Sequence, residues 1–157
     1  ELMVEIERKF LVNDPERAII SASHSFQIFQ GYISNDPSRT VRLRIRDAKG
    51  FLTIKGPTSS GGTTRLEWDE EIPVSEAKAL MPLCLPGVIQ KTRYHVVERQ
   101  QLFEVDVFEA RHQGLVIAEI ELKDPKDNIQ LPVWIGKEVT GDNRYYNSYL
   151  AVHGLPS

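Results

Sequence analysis

Apolar and polar residues alternate along most of this chain with the two-residue period of β-strands, whose successive side chains point to opposite faces. In the stretch Glu5-Ile6-Glu7-Arg8-Lys9-Phe10, two carboxylates and a lysine share one face, while Val4, Ile6 and Phe10 point the other way. Similar alternation predicts strands over 2–12, 26–33, 39–47, 50–56, 64–73, 88–98, 101–109 and 115–123. "DAKG" at 47–50 and "ERQQ" before Leu102 read as tight hairpins, and "GPTSSGGTT" reads as a long mobile loop. Helical spacing is confined to short pieces. "NDPERAII" carries an Asn/Asp cap with Pro15 in the first turn, and "SEAKALM" follows a Ser75 cap. "PVWIGKEV" and "RYYNSYLAVHG" are the remaining helical candidates. Eight short strands with few helices predict a mostly β (α+β) fold, either an antiparallel barrel or a sandwich. The length, 157 residues, suits one domain over 1–157 with a core of its own.

Composition narrows the picture. Apolar content is 41% and charged content 26%, as in ordinary soluble proteins. A formal net charge of −3 gives no basic field for nucleic acid. No apolar run approaches the roughly 20 residues that span a bilayer, and no signal peptide is visible. The single cysteine, Cys84, excludes an internal disulfide framework and suits a reducing compartment. The expectation is a cytoplasmic protein with neither nucleic-acid nor membrane partners; a homodimer is left open.

The charged faces carry the chemistry. The strands contribute Glu5, Glu7 and Lys9; Arg42, Arg44 and Arg46; Thr53 and Lys55; Arg65, Glu67, Asp69 and Glu71; Lys91 and Arg93; Glu104 and Asp106; and Glu119 with Glu121. A half-solvated sheet explains any one of them. Against that explanation, sign is often uniform within a strand, as in Arg42/Arg44 and Glu119/Glu121. Neighbours two apart lie roughly 6.6 Å from each other. At an effective dielectric near 20 a like pair at that distance costs roughly 2–3 kcal/mol. An enclosed face needs a ligand of opposite sign to offset the cost. A small eight-stranded barrel has room for one ligand. Carboxylates opposite Lys and Arg inside it would suit a polyanion escorted by Mg²⁺ or Mn²⁺, whose oxygen ligands bridge carboxylate and phosphate.

"VEIERKF" resembles the ExExK signature of the CYTH superfamily, the triphosphate tunnel metalloenzymes. Supporting stretches run along the chain: "RTVRLRIR", "FLTIKG", "RLEWDEEIP", "KTRYHV", "FEVDVF", "LVIAEIEL" and "EVTGDNRYYNSYLA". The similarity is greatest to the short single-domain bacterial branch. The resemblance implies an eight-stranded closed antiparallel β-barrel, its tunnel filled with charged side chains and its helices packed outside. It also implies Mg²⁺- or Mn²⁺-dependent cleavage of a terminal phosphate, with inorganic tripolyphosphate the usual substrate in that branch. Other branches include class IV adenylate cyclases and thiamine or RNA triphosphatases, so these remain alternatives. A module that binds polyphosphate or nucleotide without turnover is a further one.

Carried over by position, Glu5 and Glu7 would bind the metal that activates water, and Glu119 and Glu121 would hold metal against phosphate. Lys9, Arg42, Arg44, Lys55, Arg65, Lys91 and Arg93 would grip the triphosphate, and Arg144 would close over it. Glu67, Asp69, Glu71, Glu104 and Asp106 would line the acidic side, with Glu67 and Asp106 taken as further metal ligands. Tyr32 would pair with Lys55 near the scissile phosphate. Asp69 stands where the pattern expects glutamate, so it is not counted as a ligand.

Other signals carry less. "GPTSSGGTT" lacks the Gly-Lys-Ser/Thr ending of a P-loop and leads into a strand. His24, His95, His112 and His153 show no zinc-site spacing. Cys84, Trp68 and Trp134 read as packing residues.

Overall fold

The computed structural model describes residues 2–156. Its elements, in chain order, are β1 (Leu2–Val12), α1 (Pro15–Ile19), β2 (His24–Ser34), β3 (Thr40–Arg46), β4 (Lys49–Lys55), β5 (Thr64–Ile72), α2 (Val74–Leu80), β6 (Ile89–Glu98), β7 (Gln101–Phe108), β8 (Val116–Glu121), β9 (Ile135–Glu138) and α3 (Asn147–His153). The strands form one antiparallel sheet in the order β5-β4-β3-β2-β6-β7-β8-β1-β9. A further β5–β1 pairing closes eight of them into a barrel, leaving β9 attached to β1. Closure is possible because β1 is long. Its first half, Leu2–Ile6, pairs with β5, and its second half, Glu7–Leu11, pairs with β8.

Both expected hairpins are two-residue turns. Asp47 adopts φ 52°, and Arg99 and Gln100 adopt φ 52° and 62°, the left-handed geometry whose twist matches adjoining strands. Asp14 caps α1 by accepting from the Arg17 N–H, with Pro15 at the first helical position.

The main apolar cluster lies outside the barrel wall. Outward-facing Phe10, Val96, Phe103, Val105, Ala118 and Ile120 are covered by Ala18 of α1 and by Trp134 and Ile135. The Phe103 and Trp134 rings meet edge to face at 5.3 Å. Truncating Phe103, which is fully buried, to alanine would cost about 3–5 kcal/mol. On the opposite wall α2 seats Ala77 against Gly50. A side chain at Gly50 would meet the Ala77 methyl at 2.8 Å, which explains the glycine in a strand.

Three expectations need correction. "PVWIGKEV" holds a turn and the short strand Ile135–Glu138 rather than a helix, because Ile135 and Glu138 pair with the free edge of β1 at Val12 and Phe10. Burial of Trp134 and Ile135 against the barrel fixes that extended form. α2 starts from Pro73, with no side-chain cap, rather than from Ser75. The last helix begins only at Asn147, after a 3₁₀ turn over Asn143–Tyr145.

α3 also departs from the expected place outside the wall. Its Leu150 and Ala151 pack on Tyr32, Ile89, Phe108 and Ile117, together with Leu11. These residues continue the inward faces that carry Lys9, Lys91, Asp106 and Glu119. The helix therefore stops one end of the barrel with an apolar floor. Among the described residues no helix is long and apolar enough to cross a membrane.

Candidate active site

Above that floor the barrel encloses a cavity of about 270 Å³. Seven cations and seven carboxylates line it: Lys9, Arg42, Arg44, Lys55, Arg65, Lys91 and Arg93, with Glu5, Glu7, Glu67, Asp69, Glu104, Glu119 and Glu121. Fully ionised, this set would be balanced, so a guest with several negative charges depends on protons or cations held on the acidic side.

The acidic wall comes from β1, β5 and β8. Glu7 lies opposite Glu121, and Lys9 opposite Glu119, across the β1–β8 pair. Burial, then the charges of Glu119 and Glu5, push the Glu7 carboxyl up to about 8. It keeps its proton at neutral pH and donates it to Glu119. Glu67 repeats the arrangement: burial and its hydrogen bond to Glu5 raise it to about 7. Burial works against ionised Glu5 as well, but Lys55 at 2.8 Å, the hydrogen bond from Glu67 and the charge of Arg42 together hold Glu5 down at about 2. Burial alone would lower Lys9, yet Glu119, 3.6 Å away, and Glu7 carry it above the ordinary lysine value. Carboxylates forced to share protons mark a place where cationic charge is short.

The β6–β7 wall is different. Asp106 is fully buried, and burial opposes its charge, but Arg93 and Lys91 overcome that and lower its pKa. Lys91 Nζ donates to it at 2.7 Å and Arg93 at 2.7 and 2.9 Å. Arg93 also reaches Glu104 at 3.2 Å. Burial, with Arg93 and Arg44 nearby, lowers Lys91 to about 7 in spite of Asp106.

The third wall holds arginines on neutral partners. Arg42 donates to the Thr53 hydroxyl at 2.9 Å, and Thr53 donates to Asp69. The Arg42 Nε–H is buried and has no partner among the described residues. Arg44 donates to the Gln30 side-chain oxygen at 2.8 Å, and Arg65 donates to the Gly56 carbonyl at 2.9 Å and to Thr40. Guanidinium groups held on neutral oxygens keep their charge for an incoming anion.

Most residues singled out from the sequence converge here. Of those given a role by the family resemblance, three do not line the cavity. Asp106 sits behind it with both oxygens engaged by Lys91 and Arg93. Glu71 is exposed. Arg144 is exposed outside the barrel and binds Asp142 at 2.7 Å. Tyr32 and Lys55 both line the cavity, but Tyr32 accepts from Gln30 at 3.0 Å while Lys55 is held by Glu5. Sequence reasoning missed Gln30, Tyr146 and Asn147. Gln30 shares the inward face of β2 with Tyr32, so strict alternation would have found it. Tyr146 and Asn147 enter from the cap and first residue of α3, where alternation gives no signal.

Among the described residues no three acidic, histidine or cysteine side chains form a closed metal cluster. The donor set nevertheless fits a hard divalent cation. The proton-sharing pairs Glu7/Glu119 and Glu5/Glu67 are all-oxygen, and a cation between such groups would take its remaining ligands from water and substrate oxygens.

Comparison with known proteins agrees with this geometry. The CYTH domain family profile matches residues 3–147. An inorganic triphosphatase of Acetivibrio thermocellus is 46% identical over 147 residues, covering 93% of this chain and 92% of the relative. One of Nitrosomonas europaea is 36% identical over 156 residues, covering 96% and 98%. A crystal structure of an inorganic triphosphatase superposes with a TM-score of 0.68 at 33% identity, covering 97% of each chain. A Hippeastrum protein shares the fold at 18% identity and a TM-score of 0.64, over 78% of this chain and 81% of that one.

Proposed function

The chain belongs to the CYTH domain family, and from that premise we propose that it is an inorganic triphosphatase, which hydrolyses a terminal phosphoanhydride bond of tripolyphosphate inside the barrel. The supporting observation is a single cavity in which proton-sharing glutamates stand opposite arginines and lysines held ready for phosphate. The family is metal-dependent, and Mg²⁺ or Mn²⁺ is the cation proposed here. Glu5, Glu7, Glu67 and Glu119, with Glu121 at their edge, would hold it. Bound there, it would acidify an attacking water and offset phosphate charge.

The chain's own residues supply position and electrostatics, the main contributions to phosphoryl transfer. Arg42, Arg44 and Arg65 would bind non-bridging oxygens through N–H groups now resting on neutral oxygens or unpartnered. Lys9, Lys55, Lys91 and Arg93 would place positive charge along the rest of the triphosphate. Water adds to the terminal phosphorus as the bond to the bridging oxygen breaks, and these cations would stabilise the charge growing on that oxygen. Asp106 would act by holding Lys91 and Arg93 rather than as a metal ligand. The same reading places the protein in the cytoplasm as one domain.

The cavity favours an inorganic substrate over a nucleotide or thiamine ester. Its aromatic lining consists of Tyr32 and Tyr146, and the Tyr146 ring already lies against Lys9 at 5.2 Å and Arg65 at 6.0 Å. A non-catalytic binder would have no use for paired carboxylates that repel its ligand. The test is phosphate release from tripolyphosphate, ATP and thiamine triphosphate, each with Mg²⁺ and Mn²⁺. Tripolyphosphate should be cleaved with the highest kcat/KM. Faster cleavage of an organic triphosphate, or no release from tripolyphosphate with either metal, would overturn the assignment.

A further inference from the structure

The start of α3 does more than stop the barrel. Asn147 Oδ1 accepts from Lys91 Nζ at 2.8 Å and from Gln30 Nε2 at 3.2 Å. Gln30 is fully buried; it donates also to the Tyr32 hydroxyl, and its own carbonyl oxygen accepts from Arg44 Nε at 2.8 Å. The direction of every bond in this chain is dictated by its ends. Lys91 Nζ, which donates to Asp106 as well, and the Arg44 guanidinium are the donors here, so Asn147 turns its oxygen to Lys91. Gln30 must then present its NH₂ to Asn147 and its oxygen to Arg44. Two neutral amides thus bridge two phosphate-facing cations on different strands, β6 and β3, and one amide belongs to the helix that forms the floor. Both cations and Asn147 line the cavity.

We infer that Asn147 is a positioning residue for the triphosphatase reaction: it sets the Lys91 ammonium directly, and the Arg44 guanidinium through Gln30, at the spacing that receives the substrate phosphates. The inference rests on the proposed function. A neutral acceptor suits this role because it fixes both cations without consuming their charge, whereas a carboxylate there would compete with phosphate. Docking of α3 and organisation of the anion site are then one event, so the C-terminal helix belongs to the active site as much as to the scaffold.

The test compares Asn147→Ala with Leu150→Val, which trims the apolar contact of the same helix and leaves the amides in place. Each variant is measured for melting temperature, for KM and kcat with tripolyphosphate, and for tripolyphosphate binding to the metal-free protein by calorimetry. Loss of a hydrogen bond to a charged group corresponds to about a tenfold change. Asn147→Ala should therefore raise KM and the metal-free dissociation constant about tenfold while changing kcat much less, the signature of lost ground-state positioning. Leu150→Val should lower the melting temperature and leave KM within about twofold. An unchanged KM in Asn147→Ala beside an active wild type, or an equal rise in both variants, would overturn the positioning role alone. Absence of binding and turnover in the wild type would instead overturn the function on which it rests.

Discussion

On the β6–β7 side of the cavity, Asp106 is clasped by Lys91 and Arg93, and Arg93 reaches on to Glu104. On the β1–β8 side, Glu7 lies against Glu119 and is driven to hold a proton at neutral pH, while Glu67, beside Glu5, is pushed up to about 7. Both walls bury charge in one barrel, and both lie on regular paired strands. The first closes its electrostatics within the protein; the second leaves them open. An interior ion network that is complete holds its members in place, whereas an incomplete one marks where something from outside completes it.

This contrast can be broken from either side. The largest effect is expected from Glu7→Ala. It should lower kcat for tripolyphosphate by at least about a thousandfold, the scale of losing a group that organises transition-state charge. Thermal melting of the metal-free variant should nevertheless match or exceed that of wild type, because a crowded carboxyl has been removed. A fall in melting temperature comparable to a core truncation would show the two walls to be alike. Asp106→Asn should do the opposite, destabilising the fold by about 3–5 kcal/mol in urea denaturation, because two buried cations lose their counter-charge.

A smaller effect, in pH, separates the walls without mutation. Glu7 has a folded pKa raised to about 8 from 4.5, so the folded state binds more protons than the unfolded state between those values. Its contribution to stability is complete below about pH 4.5 and is lost as pH rises. Lys91, lowered to about 7, works in the reverse sense above that pH. The clean window is therefore about pH 4.5 to 7. There the melting temperature of wild type relative to Glu7→Gln should fall as pH rises, and the comparison cancels His112, whose burial lowers its pKa and acts oppositely. A flat difference across the window would remove the crowding. Smallest of all should be Arg144→Ala. The side chain is 48% exposed and paired with Asp142, and exposed pairs contribute about 0–1 kcal/mol. KM should change less than about twofold, and a tenfold rise would show that Arg144 folds over the substrate.

Much of this was legible in the alternation. Side-chain parity along a strand follows from covalent geometry, so the inward set Glu5/Glu7/Lys9, Arg42/Arg44 and Glu119/Glu121 could be read before any tertiary contact was known. What could not be read depends on who pairs with whom. The state of Glu7 arises from burial and then from Glu119, more than a hundred positions away in sequence, and the withdrawal of Asp106 from the cavity arises from two cations on β6. "PVWIGKEV" became a strand because β1 offered an edge, a fact carried by the fold rather than by the segment. Tyr146 and Asn147 reach the site from the start of α3, where no strand periodicity announces direction.

The most direct test of a cation-completed acidic wall is phosphate release from tripolyphosphate, followed first in excess chelator and then through a Mg²⁺ titration. Wild type should be inactive in chelator and recover saturably with Mg²⁺, while Glu7→Ala should recover almost nothing. Turnover that is indifferent to chelator, or full recovery in Glu7→Ala, would contradict the cation-completed wall.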